Sequence, residues 1–190
     1  FVGIHNRKYC DGGQCIRLYK TFMKKKDPEA ANIVMGHNEE DLLGLGTIFS
    51  LLAYKKLYDG EYHPKQCVIL EQELKIVIEL SAAAPVNVSC GNSDFYLSVN
   101  GYEARMLVHL KEGKLRQYYR NYKDYEFIPG EDTAMPKSIT RYMDKSLKIA
   151  TTPQTCYTWF NCDEDFLNNE KKQMQYLTHT LPFFLDNLNK

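Results

Sequence analysis

Near residue 60 the hydrophobic period of this chain changes from that of a helix to that of a strand, and this limits what it can fold into. Upstream, "GGQCIRLYKTFMKKKD" sets Cys15, Leu18, Tyr19 and Phe22 at helical spacing and ends in lysines, which suit the negative end of a helix dipole. Gly12 and Gly13 read as a turn before it, since no phosphate-loop spacing or following lysine accompanies them. Asp27-Pro28 breaks and restarts the chain, and Pro28 fits a first helical turn. "PEAANIVMGH" reads as a short helix. Over 39–57 one further helix is predicted, with Leu42, Leu45, Ile48, Phe49, Leu52 and Ala53 on one face. Lys55, Lys56 and Gly60 mark its end.

Downstream the pattern alternates. Leu74, Ile76, Ile78 and Leu80 fall on one side of a strand, with Lys75 and Glu79 on the other. "VNVSC", "DFYLSV" and "EARMLVHLK" follow, separated by Gly91-Asn92, Asn100-Gly101 and Glu112-Gly113. Asn100-Gly101 is the strongest hairpin signal, because both residues tolerate the positive φ of a tight primed turn. "LRQYYRNYKDYEFIP" continues as strand or twisted ribbon, "SITRYMDKSL" (138–147) reads as one short helix and "QTCYTWF" as a strand. Residues 164–190 are ambiguous, since Pro182 interrupts them, and Trp159, Phe160, Phe183 and Phe184 read as core. The fold class is therefore α+β: a helical segment over 1–60, then a mainly antiparallel β domain over 61–190.

Composition narrows the function classes. Hydrophobic residues make up 44%, enough for a core, and 24 basic residues balance 24 acidic ones. No global field draws the chain to nucleic acid, so any such binding needs a local patch. A run of about 18 apolar residues, which a membrane helix needs, does not occur. "FVGIHNRKYC" lacks the pattern of a signal peptide, and without an initiator Met the chain reads as a fragment or processed product. Cysteines stand at 10, 15, 67, 90, 156 and 162. Cys10 with Cys15 and Cys156 with Cys162 have the look of zinc half-sites, with His5 and His179 near in sequence. Tight C-x-x-C pairs are absent, and scattered reduced thiols of a cytoplasmic protein fit better.

"MGHNEEDLLGLGTIF", residues 35–49, supports two readings. In one, Asn38 caps a helix, Asp41 closes a capping box, and the acids favour the positive end of the dipole. In the other, His37 and Asp41, four residues apart, share a helix face near solvent. There the carboxylate suits a divalent ion and the imidazole suits proton transfer in phosphodiester hydrolysis.

"FVGIHNRKYCDGGQCIRLYKTFMKKKD" followed by "MGHNEEDLLGLGTIFSLLAY" resembles the C-terminal part of the YprB-like ribonuclease H-like exonuclease domains of the DEDD superfamily. Those domains end with a Gly-Gly-containing stretch, a helix with Tyr, and His-Asn-x-x-Asp-Leu on the last helix. "YYRNYKDYEFIPGEDTAMPKSITRYMDK" is similar to the β-rich extension of their Firmicutes members. The resemblance implies 3′–5′ exonucleolytic cleavage of nucleic acid at a single-stranded end. Mg²⁺ or Mn²⁺ is the implied cofactor, with His37 as general base and Asp41 as a metal ligand. The family's Asp-x-Glu strand and second Asp would precede Phe1. The resemblance thus implies that this chain alone is inactive and that the upstream part of its own ribonuclease H-like domain completes the site. The alternative from another class is a non-catalytic nucleic-acid-binding or structural module.

Two further constellations stand out. Tyr118, Tyr119, Tyr122 and Tyr125 interleave with Arg116, Arg120 and Lys123, and Lys137, Arg141, Lys145 and Lys148 follow. Such alternation suits single-stranded nucleic acid, with Arg116, Tyr119, Arg120 and Lys123 as the candidate contacts. The simpler reading is a ribbon whose tyrosines pack on the core and whose charges are solvated, with Asp124, Glu126, Glu131 and Asp132 weakening the field. Ser138 paired with His109 or His179 is a remote nucleophile arrangement, because no Gly-x-Ser-x-Gly elbow is present.

Overall fold

The computed structural model describes residues 8–188, and both helices and antiparallel sheets are present, an α+β fold. Two long helices come first. α1 spans Gly12–Lys25, and the Asp11 carboxylate accepts the Gln14 N–H at 2.9 Å to cap it. Gly12 and Gly13 therefore open a helix and do not form the expected turn. α2 spans Pro28–Phe49, capped by Asp27, whose side chain accepts the Glu29 N–H at 3.0 Å. This overturns the reading of Asn38 as a cap. Asp27 and Pro28 already start the helix, and no later proline removes an N–H before Phe49, so it propagates through Gly36 and Asn38.

One helix over 39–57 does not form either. α2 stops at Phe49, and α3 spans Leu52–Asp59. Between them the Ser50 hydroxyl donates to the Thr47 carbonyl at 2.7 Å, competing for a backbone acceptor as serine does near helix ends. Gly60 ends α3 in the left-handed region.

β1 (Tyr62–Leu70), β2 (Glu73–Gly91) and β3 (Phe95–His109) form an antiparallel meander in that order. The turn between β2 and β3 lies at Asn92, whose side chain accepts the N–H groups of Asp94 (2.9 Å) and Phe95 (3.2 Å). Asn100-Gly101 is not the hairpin turn that its sequence suggests. It lies inside β3, opposite a stretch where the register shifts between Glu79 and Val88 and β2 spends more residues than its partner. Gly101 has φ 55°, so its conformational freedom serves a bulge. The bulge bends the ribbon, and both halves of it turn apolar side chains inward: Ile76, Ile78 and Met106 in one, Phe95, Leu97 and Val99 in the other.

β4 (Lys114–Tyr118) pairs with β8 (Tyr157–Asn161). β5 (Tyr125–Ile128) lies between β6 (Thr133–Pro136) and β7 (Ile149–Ala150). Residues 138–147 do not form one helix. α4 covers Lys137–Thr140, and a 3₁₀ turn covers Lys145–Leu147. Asp144 separates them by accepting the Ser146 N–H (2.8 Å) and O–H (2.9 Å). The ambiguous last segment holds α5 (Glu164–Leu167) and α6 (Glu170–Asp186).

The core lies between the meander, β4, β8 and α6. Tyr176, Leu177 and Leu181 of α6 are fully buried, and Leu57 of α3 joins them. Phe183 stacks on Tyr118 at 3.7 Å and Phe184 on Phe95 at 4.2 Å, as expected of core aromatics. Each fully buried side chain of this kind contributes about 1.5–3 kcal/mol. The α1–α2 hairpin is different. Cys15, Leu18 and Phe22 turn inward, whereas Ile16, Tyr19, Met23, Leu42, Leu45 and Phe49 are all exposed.

Candidate functional site

α2 brings His37 and Asp41 together. His37 Nε2 lies 3.4 Å from Asp41 Oδ2 across one helical turn. Their environments differ. His37 is 7% exposed, against the expectation that both face solvent, while the Asp41 side chain keeps 48% of its surface. The segment before α1 packs on this stretch at Gly36. The Tyr9 ring lies so close to α2 that a Cβ on Gly36 would sit 2.2 Å from its Cζ, so any side chain there would force the ring to move. His37 Nδ1 is buried without a hydrogen-bond partner among the described residues.

The neighbouring acids serve elsewhere. Glu40 Oε1 accepts the Lys8 N–H at 2.7 Å, and Glu39 is exposed. Asp41 also acts on α1: the Cys15 thiol is held above its ordinary range, first by desolvation, then by Cys10 and Asp41. This approach of Cys15 to Asp41 has no signal in the sequence beyond the helical spacing of Cys15. Among the described residues no group of three or more His, Cys, Asp or Glu is placed to hold a metal ion. A pair of divalent ions needs several carboxylates to offset its charge. The residues described here do not by themselves fit such a pair, because Asp41 offers one carboxylate.

The zinc half-sites do not assemble among the described residues. Cys156 and Cys162 flank opposite ends of β8, both buried, and desolvation pushes each thiol up to about 11. His5 lies outside the described residues. Ser138 is exposed on α4 and makes no hydrogen bond to His109 or His179 among the described residues.

The four candidate nucleic-acid contacts do not form one patch. Tyr119 follows the last residue of β4 and sides with Gln117, whose side chain strand alternation turns away from that of Arg116. The Arg116 guanidinium sits 4.6 Å from the Tyr157 ring centre and 4.7 Å from that of Trp159. Tyr119 stacks on Tyr125 at 5.2 Å, and its hydroxyl meets Gln117 (2.9 Å) and Thr158 (3.0 Å). Arg120 lies 4.8 Å over the Tyr58 ring and donates to the Tyr58 hydroxyl and to Asp186. Arg116 lines one cleft with Lys111 and Trp159, whereas Lys123 lines a different, open one with Lys137, Lys145 and Lys148. Those three lysines were legible singly in the sequence, but the fold that gathers them was not.

Residues 1–53 match the model of a family in the RNase_H superfamily, named RNase_H_2. No curated protein and no solved structure matches the chain. Among the described residues, no helix is long and apolar enough to cross a membrane.

Proposed function

We propose that the α1–α2 hairpin is the C-terminal part of a ribonuclease H-like domain of the YprB kind, within a metal-dependent 3′–5′ exonuclease acting on single-stranded ends of nucleic acid. The observation that carries this reading is the His37–Asp41 pair, held in register on α2 inside the segment that matches the superfamily. A half-exposed carboxylate beside a sheltered imidazole suits a metal ligand next to a proton acceptor. Bound Mg²⁺ or Mn²⁺ would supply Lewis acidity for phosphodiester hydrolysis. With one carboxylate in place, the remaining ligands come, in this reading, from the upstream part of the same domain. The exposed apolar stripes of α1 and α2 supply a surface for that part to cover.

The test is digestion of a 3′-labelled single-stranded oligonucleotide with Mn²⁺. Three proteins are compared: this chain, a form extended by the upstream part of the domain, and Asp41→Ala in the extended form. The chain alone leaves the substrate intact and the extended form shortens it from the 3′ end. Asp41→Ala lowers the rate at least about a hundredfold, as loss of a metal ligand does. Cleavage by the 190-residue chain that vanishes on Asp41→Ala overturns the incomplete-site reading. Cleavage by the extended form that survives Asp41→Ala overturns the role of that residue.

A further inference from the structure

The cleft beside β5 and β7 has a volume of about 590 Å³ and is lined by four lysines and one glutamate. The glutamate is already committed. Glu126 Oε2 lies 2.9 Å from Lys148 Nζ and accepts a hydrogen bond from the Thr140 hydroxyl. Lys148 also donates to the Thr140 carbonyl at 2.6 Å, so this group forms a fixed wall. Lys123, Lys137 and Lys145 remain. Among the described residues none of them has a carboxylate within ion-pair distance. The two nearby aspartates are engaged otherwise: Asp124 accepts from Asn121 (3.0 Å) and Asp144 from Ser146. Positive charge thus exceeds the one carboxylate that lines the cleft, which Lys148 and Thr140 already engage, at a cost that a bound anion or solvent relieves.

A second, independent feature points to a ligand in the same place. Thr151 lines the cleft, is 9% exposed, and its hydroxyl is buried without a hydrogen-bond partner among the described residues. Buried hydroxyls are normally satisfied, and this one, closed off from solvent and without a protein acceptor among the described residues, meets a ligand after a small shift of the cleft wall. Tyr122 adds a partly exposed ring at the cleft wall that takes no part in ring stacking among the described residues. Tyr125 also lines the cleft but is held on Tyr119.

We infer that this cleft binds the sugar-phosphate backbone of a single-stranded nucleic acid, with Lys123, Lys137 and Lys145 on successive phosphates, the Thr151 hydroxyl donating to a phosphate oxygen, and Tyr122 stacking on a base. The choice of a nucleic acid over other polyanions rests on the function proposed above. The site itself does not: it lies on the β sheet and shares no residue with His37 and Asp41. Lysine ammoniums meet phosphates as point charges without reading sequence, and a stacked tyrosine accepts any base. The cleft therefore holds the strand without selecting its sequence.

The experiment measures binding of a fluorescein-labelled oligothymidylate to the full chain by anisotropy across a salt series. In the triple variant Lys123→Ala, Lys137→Ala, Lys145→Ala, affinity at low salt falls at least tenfold. The slope of log K against log salt becomes shallower by about 2, since each single-strand phosphate contact carries about 0.7. A control with the exposed Lys55, Lys65 and Lys171 changed to Ala keeps both values. Thr151→Val weakens binding roughly tenfold with the slope unchanged, because a hydrogen bond is lost and a charge is not. Parent-like affinity and slope in the triple variant overturn the proposal, as do equal losses in the control. Parent-like binding by Thr151→Val overturns the assignment of that hydroxyl. In a second arm, inorganic tripolyphosphate replaces the oligonucleotide. If it binds and the oligonucleotide does not, the cleft takes small phosphates and the nucleic-acid assignment falls. Any of these failures leaves the cleavage experiment on Asp41 intact, so the two readings fail separately.

Discussion

Lys148 Nζ lies 2.9 Å from Glu126 Oε2, and both side chains are mostly buried. Hydrogen bonds from Thr140 and then Lys148 hold the Glu126 carboxyl below its ordinary range. The unfolded chain therefore takes up this proton at a higher pH than the folded one. The stabilisation is complete above the ordinary carboxylate value and is lost as pH falls through the lowered folded value. Urea midpoints measured from neutral pH down to about pH 3 will drop less steeply in Glu126→Gln than in the parent. Parallel curves would show that the pair carries no acid sensitivity.

Tyr176 is fully buried at the centre of α6, and its hydroxyl has no protein hydrogen-bond partner among the described residues. Burial raises its pKa well above the ordinary phenol value, so the group stays protonated. Tyr176→Phe removes a desolvated polar atom and keeps the ring against Phe160 and Phe166. Stability should rise by about 1 kcal/mol, read from denaturant unfolding. A loss of comparable size would mean that the hydroxyl has a partner.

Gly101 holds φ 55° within β3, and nothing lies within 4 Å of where a Cβ would stand. The cost of a side chain there is conformational and not steric. Gly101→Ala should destabilise by about 1 kcal/mol and Gly101→Asn by less, because asparagine tolerates the left-handed region. Equal costs for the two variants in thermal unfolding would contradict the bulge geometry.

Leu42, Leu45 and Phe49 are 71%, 47% and 58% exposed along α2. So much contiguous apolar surface binds hydrophobic dyes and promotes self-association. Leu42→Glu with Phe49→Lys should lower dye fluorescence and the apparent mass in light scattering, with the circular dichroism spectrum retained. Unfolding of the double variant at room temperature would instead show that these side chains hold the hairpin together.

The parts legible in the sequence were those governed by local periodicity. Leu74, Ile76, Ile78 and Leu80 alternate and do face the core, and of the helical set Cys15, Leu18 and Phe22 are partly buried while Tyr19 is exposed. Misreadings arose where a local signal met a longer-range demand. Asn38 has the chemistry of a cap, yet Asp27 and Pro28 had already started the helix. Asn100-Gly101 has the chemistry of a hairpin, yet β2 and β3 keep pairing past it, and the turn falls at Asn92. The helical spacing brought out His37 and Asp41 as neighbours, but the packing of Tyr9 on Gly36, 27 positions away, is something no pattern within one helix encodes. The lysine cleft was hidden because β7, the strand that closes it, is only two residues long.

The placement of α6 has a kinetic consequence. Tyr176, Leu177 and Leu181 fill the centre of a core whose other walls, β1 to β3, come from residues 62–109. Tyr58 reaches Asp186 across 128 positions of chain. During synthesis the meander emerges well before the helix that covers it, and its inner face stays wet until α6 arrives. Closing loops of this length must precede the contacts that reward them, so folding of this region is slow compared with the local pairing of α1 with α2. In the interval the apolar face of β2 and β3 is open to chaperones and to other nascent chains.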